Sequence, residues 1–267
     1  MGSVRAPAVA GSFYPADAAT LAAAIDDLLA AADPPVVDVD PRLLIVPHAG
    51  YVYSGPVAAT AYRLLSAMPQ QPRRLVLVGP SHFVALGGVA TSGATGLETP
   101  LGVVPVDLEL AAAAVAHPLV AAGPAAHARE HSLEVQLPFL QRVLGDLTAL
   151  LLLTGDISPQ AVAAMLDEAL DVDEVMVIVS TDLSHYLDAA AARRRDATTA
   201  AAVAELRSEA IASGDACGRT GLQAGLIVAR KRGWACRLLD LRNSGDTAGP
   251  TDSVVGYGAF AVGPVAT

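Results

Sequence analysis

The chain of 267 residues carries 27 acidic and 17 basic side chains, a net charge of −10. That balance leaves no broad face able to neutralise a phosphate backbone, and nucleic acid is excluded as a partner class. The hydrophobic fraction of 53% comes from alanine-rich stretches and strand-length apolar runs, none near the ~18 residues of a membrane span.

The N-terminal "MGSVRAPAVAGSFYPAD" lacks the basic-then-apolar order of a secretory signal, and Ala6 stands where a myristoylation motif needs Ser or Thr. A cytoplasmic location is therefore expected, without membrane attachment. Two cysteines, Cys217 and Cys236, are too few for a disulfide framework. With no linker-like stretch in sight, residues 1–267 are expected to form one domain.

Asp17 and Thr20 open an alanine-rich helix. Strand and helix patterns then alternate: strand Leu43–Val46, helix Pro56–Ala67, strand Leu75–Val78, strand Ala149–Leu153, helix Pro159–Leu170 and strand Val175–Ser180. Before the third of these strands, Ser132–Leu144 reads as a helix with Leu133, Leu137, Leu140 and Leu144 on one face, Ser132 as its N-cap and Glu134 in its first turn. Ala189–Ile211 is helical, in one piece or two. The tail, "CRLLDL" then "VVGYGAFAV" around a turn-rich "RNSGDTAGPT", reads as strand, loop, strand joining the sheet antiparallel. This order predicts an α/β fold, a mixed but largely parallel sheet covered by helices on both faces.

Three of the apolar runs end alike. "LLIVPH", "LVLVGPSH" and "VMVIVSTDLSH" each finish within a few residues in a histidine: His48, His82 and His185. In a parallel sheet the C-terminal strand ends share one edge, where open α/β sheets place their ligand crevices. One such histidine would more often just bond a loop carbonyl, but three at parallel strand ends point to a common site. Pro47 stiffens the approach to His48, and Gly50 allows a tight turn or a close backbone approach.

Neutral imidazole is the commonest protein ligand for a transition metal, and two imidazoles with an anionic third ligand leave positions open for water or substrate. Asp182, Glu130 and Cys217 are the candidate anions. His131, at the mouth of a helix, belongs near the site, whereas Glu130 is balanced between the site and a solvated loop. Asp182 lies three residues before His185, near enough in sequence to orient its ring or to shift its pKa. Cys236, in "WACRLLDL", is expected to be a small buried apolar residue, and His117 and His127 to be structural or exposed. A hydrolase built from Ser81 or Ser184 with His185 and Asp182 is disfavoured, since no G-x-S-x-G elbow is present.

Taken in order, "AGSFYP", "PHAGYVYSG", "GPSHF", "TPLG", "EHSLEVQLPFL", "STDLSHY", "ACGR" and "DSVVGYGAFAV" resemble the motifs of the Memo family, whose bacterial and archaeal members are called AmmeMemoRadiSam system protein B. The resemblance spans about residues 6 to 262. It implies a single-domain, three-layer α/β/α fold similar to the class III extradiol-type non-haem iron dioxygenases (LigB-like), with one metal ion at the edge of the sheet. Those dioxygenases use two histidines and a glutamate; Memo proteins have a cysteine in the third place. The resemblance implies His48, His82 and Cys217 as metal ligands, His185 as the catalytic histidine with Asp182 beside it, and His131 lining the pocket. After the cysteine, "ACGRTG" departs from animal relatives, which have His and Pro following the Arg.

The resemblance favours Fe(II) as the ion, with copper or zinc as alternatives, acting on a small-molecule substrate that the residues do not identify. The resemblance also implies a functional link to radical SAM and AMMECR1-type proteins, and the chain is compatible with an oligomer. Three function classes follow: a dioxygenase-like oxidoreductase, a zinc-type hydrolase or lyase, and a non-catalytic module that binds a peptide or small acid.

Overall fold

A computed structural model describes residues 2–266. Four parallel strands form the centre of a nine-stranded mixed sheet, in the order Leu43–Val46, Val175–Ser180, Arg74–Pro80, Thr148–Thr154. On one side Val254–Gly263 pairs antiparallel with Leu43–Val46, and Ala235–Asn243 pairs antiparallel with Val254–Gly263. On the other, Val89–Thr91 runs antiparallel to Thr148–Thr154 and parallel to Val120–Ala122. The sheet is thus mixed, as expected, with a parallel centre and the C-terminal tail joining antiparallel; pairings on its two flanks are antiparallel more often than the strand pattern suggests.

Because successive strand residues face opposite ways, each apolar run feeds two cores. Leu44, Leu75, Leu77, Leu151 and Ile178 pack on one face with the helices Ala18–Ala31, Tyr51–Ser66 and Leu137–Leu144. Leu43, Ile45, Val76, Val78 and Val177 pack on the other with Pro159–Ala169, Ala189–Ala204 and Arg219–Lys231. This is the three-layer arrangement around the central sheet, with a small second sheet formed by Val4–Arg5, Gly96–Thr99 and Gly102–Pro105. Among the described residues no helix is long and apolar enough to cross a membrane.

Two helices differ from expectation. The helix read from Pro56 begins at Tyr51, with the amides of Tyr53 and Ser54 both donating to Gly50 O. Pro56 therefore lies inside the helix, and the first turn follows directly on His48. The helix read as Ser132–Leu144 is a 3-10 turn, Glu134–Gln136, followed by an α-helix, Leu137–Leu144, with Pro138 in its first turn. Ser132 does not cap it; its hydroxyl donates to Pro80 O at 3.0 Å. The 189–211 stretch resolves into the helix Ala189–Ala204 and a 3-10 turn, Ser208–Ala210.

Glu134 has a task that a first-turn acid would not need. Its carboxylate is buried and accepts from Arg5 Nη1 (2.7 Å), the Ala8 and Val9 amides (2.7 and 3.0 Å) and the Tyr14 hydroxyl (2.6 Å). It fastens residues 5–14 to the body of the protein, and Phe13 is carried with them onto His131. Removing one member of such a buried pair leaves an uncompensated charge. Glu134→Ala is expected to lower the unfolding free energy by roughly 3–5 kcal/mol, measured by chemical denaturation; a loss under 1 kcal/mol would contradict this role.

Asp107 is a second buried carboxylate, capping the helix Leu108–Val115 through the Leu110 amide and paired with both Arg74 Nε (2.6 Å) and Nη2 (2.8 Å). Burial alone would raise its pKa; the guanidinium, the Leu110 amide and the Thr148 hydroxyl outweigh it and hold the carboxyl below the model-peptide value of 3.8. The folded value lies below the unfolded one, so this stabilisation is full above about pH 4 and is lost as the pH falls further. Asp107→Asn is expected to destabilise the protein at neutral pH and to flatten the acid limb of its stability profile. An unchanged slope below pH 4 would refute the assignment.

Candidate metal centre

Register sets the height of the site residues. Val46 pairs with Ser180 and Val78 with Val179, so His48, Asp182 and His82 emerge at nearly one level beyond three adjacent parallel strands. The Asp182 strand lies between those of the two histidines. The ring centroids of His48 and His82 are 5.3 Å apart, those of His48 and His131 5.5 Å, and those of His82 and His131 4.7 Å with the rings stacked. One ring nitrogen from each of His48, His82 and His131 lies within 4.8 Å of the other two, close enough for one metal ion.

Cys217 enters from the opposite side. Its Sγ lies 3.2 Å from His48 Nε2, while it falls outside the three-histidine group defined by mutual distance. Asp182 binds both neighbours. Its Oδ1 accepts from the His48 amide (2.7 Å), its own amide donates to Cys217 Sγ (3.2 Å), and its carbonyl accepts from the Cys217 amide (3.2 Å). Such close approach requires Gly218: a Cβ there would lie 2.7 Å from Ser180 O and 2.8 Å from Thr181 Cβ.

Glu130 belongs to the site. It is buried, and its Oε1 accepts from His82 Nδ1 and from the amides of His131 and Ser132, each at 2.9 Å, while Oε2 accepts from the His82 amide at 2.6 Å. A carboxylate only accepts, so His82 holds a ring proton on Nδ1 and Nε2 is the nitrogen left to face an ion. Burial would raise the Glu130 pKa, but the His82 ring and the surrounding amides lower it to about 2. His131 Nδ1 is 3.4 Å from the same Oε1, which its stronger partners already occupy.

His185 begins the short strand His185–Leu187. Its Nδ1 donates to Leu183 O at 2.8 Å, leaving Nε2 as the basic nitrogen. The carboxylate of Asp182 faces the His48 amide, so the neighbour that orients the His185 ring is the Leu183 carbonyl, contrary to the spacing argument. In a strand-end turn, three residues of separation did not bring the two side chains together. Tyr186 beside it has φ +60° and is largely exposed, forming the bulge in the pairing with Val254–Gly263.

The remaining polar candidates are engaged elsewhere. Ser81 donates to Val84 O, and Ser184 donates to Asp196, so neither hydroxyl is offered to His185. His127 is buried with Nε2 2.9 Å from Ala90 O, and Cys236 is buried in its strand, both as expected. His117 accepts from the Leu119 amide through Nδ1. Sequence reasoning missed Phe13, packed 4.7 Å from His131, and Asp196, which holds both the amide and the hydroxyl of Ser184. The "AGSFYP" motif was a signal for the first; the second, in an alanine-rich helix, left none.

Burial dominates the electrostatics. It drives the pKa of His48 well below that of free imidazole and lowers those of His131 and His185 as well. It pushes Asp182 up to about 7, against the His48 amide, and Cys217 up to about 12, with the Asp182 charge adding to the rise. Burial therefore favours the neutral form of His48, His131 and His185, and Cys217 gives up its proton only to a strong competitor.

The surrounding sequence has relatives. The Memo family profile (Memo-like protein) matches residues 5–261. A MEMO1 family protein of Aquifex aeolicus is 33% identical over 268 residues, covering 95% of this chain and 97% of its own length. A MEMO1 family protein of Methanopyrus kandleri is 37% identical over 278 residues, covering 96% and 98%. The solved structure of an uncharacterized Escherichia coli K12 protein, JW3007, superposes with a TM-score of 0.54 at 14% identity, over 81% of this chain and 99% of that one; at this identity the likeness speaks for the fold. With the profile running almost end to end and relatives aligned over nearly their whole length, the chain belongs to the Memo family.

Proposed function

We propose that this protein is a metal-dependent oxidoreductase with a dioxygenase-like pocket, its single ion held by His48, His82 and Cys217. The observation that carries the reading is the meeting of His48 Nε2 and Cys217 Sγ at 3.2 Å beside an inward-facing His82 ring. The donor chemistry fits an ion: two imidazoles with Nδ1 engaged and Nε2 left over, and a sulfur that already accepts the Asp182 amide. When bound, a redox-active ion such as Fe(II) would supply electron transfer and activation of O₂ for a small-molecule substrate.

The chain's own residues supply the rest. His185, with Nδ1 tied to Leu183 O, keeps Nε2 free to take or return a substrate proton as general base or acid. A charge on His185 lies close enough to His48 to lower the pKa of that ring further. Asp182 keeps the His48 and Cys217 backbones in place. His131, stacked on His82 and covered by Phe13, forms the pocket wall on the substrate side and lies within reach of the ion as a further nitrogen. One observation favours a second reading: the sulfur makes the donor set softer than two histidines and a carboxylate, which shifts preference toward zinc or copper. With zinc, the same residues serve a hydrolase or lyase.

Protein purified without oxygen is expected to carry one transition-metal ion per chain by elemental analysis. His185→Ala is expected to keep that ion while losing roughly 10²–10⁴-fold in turnover of any small molecule converted only with O₂ present. Full turnover in the variant would remove His185 from proton transfer, and turnover independent of O₂ would favour the hydrolase reading.

Because Glu130 orients His82, Glu130→Gln is expected to weaken zinc binding roughly 10–100-fold in a chelator competition. Unchanged affinity would mean that His82 needs no such partner.

A further inference from the structure

Behind His48 lies a row of polar groups that the metal reading does not itself require. Tyr62, Gln136 and Ser180 are all buried, on the helix Tyr51–Ser66, the 3-10 turn Glu134–Gln136 and the end of the strand Val175–Ser180. The Tyr62 hydroxyl is 2.8 Å from Gln136 Oε1. Gln136 Nε2 is 2.9 Å from Pro47 O and 2.9 Å from Ser180 Oγ. Ser180 Oγ is 2.6 Å from Ser132 O and 3.0 Å from His48 Nδ1.

The direction of every bond in this row follows from two carbonyls, which only accept. Pro47 O requires the Gln136 amide nitrogen, so Gln136 Oε1 faces Tyr62 and receives its proton. The second Gln136 N–H goes to Ser180 Oγ. Ser180 has one proton of its own, and Ser132 O takes it at 2.6 Å. What remains on Ser180 Oγ is a lone pair facing His48 Nδ1, so that nitrogen must donate.

We infer that Tyr62, Gln136 and Ser180 form a one-way hydrogen-bond relay that fixes His48 as the Nδ1–H tautomer and turns its bare Nε2 toward Cys217. Ser180 and Gln136 are thereby positioning residues for the metal centre, acting through His48 without touching the ion. In the ion-free protein the Cys217 S–H donates to His48 Nε2 across the 3.2 Å gap. The relay thus keeps a lone pair aimed at the place an ion would take.

The inference rests on the proposed metal centre for its purpose, and two readouts separate the relay from that reading. The first is the tautomer of His48 in ion-free protein, read from long-range ¹H–¹⁵N correlations of ¹⁵N-histidine-labelled samples. Wild type is expected to show protonated Nδ1 and bare Nε2. Ser180→Ala, which removes the acceptor, is expected to move the proton toward Nε2, with the spectrum of the buried His127, whose ring bonds Ala90 O, unchanged. The second is zinc affinity by chelator competition, expected to fall roughly 10–100-fold in Ser180→Ala and to recover in Ser180→Thr, which restores a hydroxyl.

Should Ser180→Ala lose the His127 signal with its fold, Ser180→Cys carries the same test, because it keeps the side-chain volume while leaving only a weak sulfur acceptor for the His48 Nδ1 proton. Protonated Nε2 in wild type, or an unmoved tautomer with zinc affinity within twofold in a folded variant, would overturn the relay. Absence of zinc binding by wild type with the expected tautomer would instead overturn the metal reading.

Discussion

The site depends on the backbone and side chain of Asp182, which join two segments 169 residues apart. Its carboxylate holds the His48 amide, and its own amide and carbonyl hold the sulfur and amide of Cys217. No neighbouring pair in sequence could impose that distance. Asp182 sits at the end of the strand between those that deliver His48 and His82, so the parallel core fixes its position, and Gly218 lets the cysteine loop approach without a clash. Packing sets the height of the strands; this one residue converts that height into a defined gap between an imidazole and a thiol.

Buried charge at this edge is tolerated because each group is satisfied. Among the described residues no buried side-chain nitrogen or oxygen lacks a hydrogen-bond partner. The two glutamates of "EHSLEVQ" divide the work: Glu130 turns inward to hold the His82 ring, and Glu134 turns outward to hold the N-terminal segment that brings Phe13 over His131. Polar groups in so dry a setting are costly if unpaired and specific when paired. The same accounting makes the hydrogen-bond direction behind His48 readable.

Much of this was legible in the sequence. Continuous apolar runs mark the doubly covered strands, and their shared ending in histidine places His48 and His82 on one rim. What was not legible arose from contacts between distant segments. Spacing suggested that Asp182 serves His185, yet the turn after Ser180 aims the carboxylate at His48. Ser132 and Glu134 matched the pattern of a helix start, but tertiary partners at Pro80 and Arg5 claim them. Pro56 looked like a first helical residue, and the actual start at Tyr51 reflects the Gly50 carbonyl capturing two amides. Gln136 was hidden among the leucines of an amphipathic pattern, which reports the apolar face and is silent about a single buried amide.

The claim on which the chemistry stands is that sulfur and imidazole nitrogens share one ion. X-ray absorption at the zinc edge of protein loaded with one equivalent of zinc tests it most directly. The account predicts one sulfur neighbour at about 2.3 Å alongside imidazole nitrogens at about 2.0–2.1 Å, the sulfur shell disappearing in Cys217→Ser. A shell of nitrogen and oxygen alone in the wild type would contradict it and leave Cys217 outside the centre.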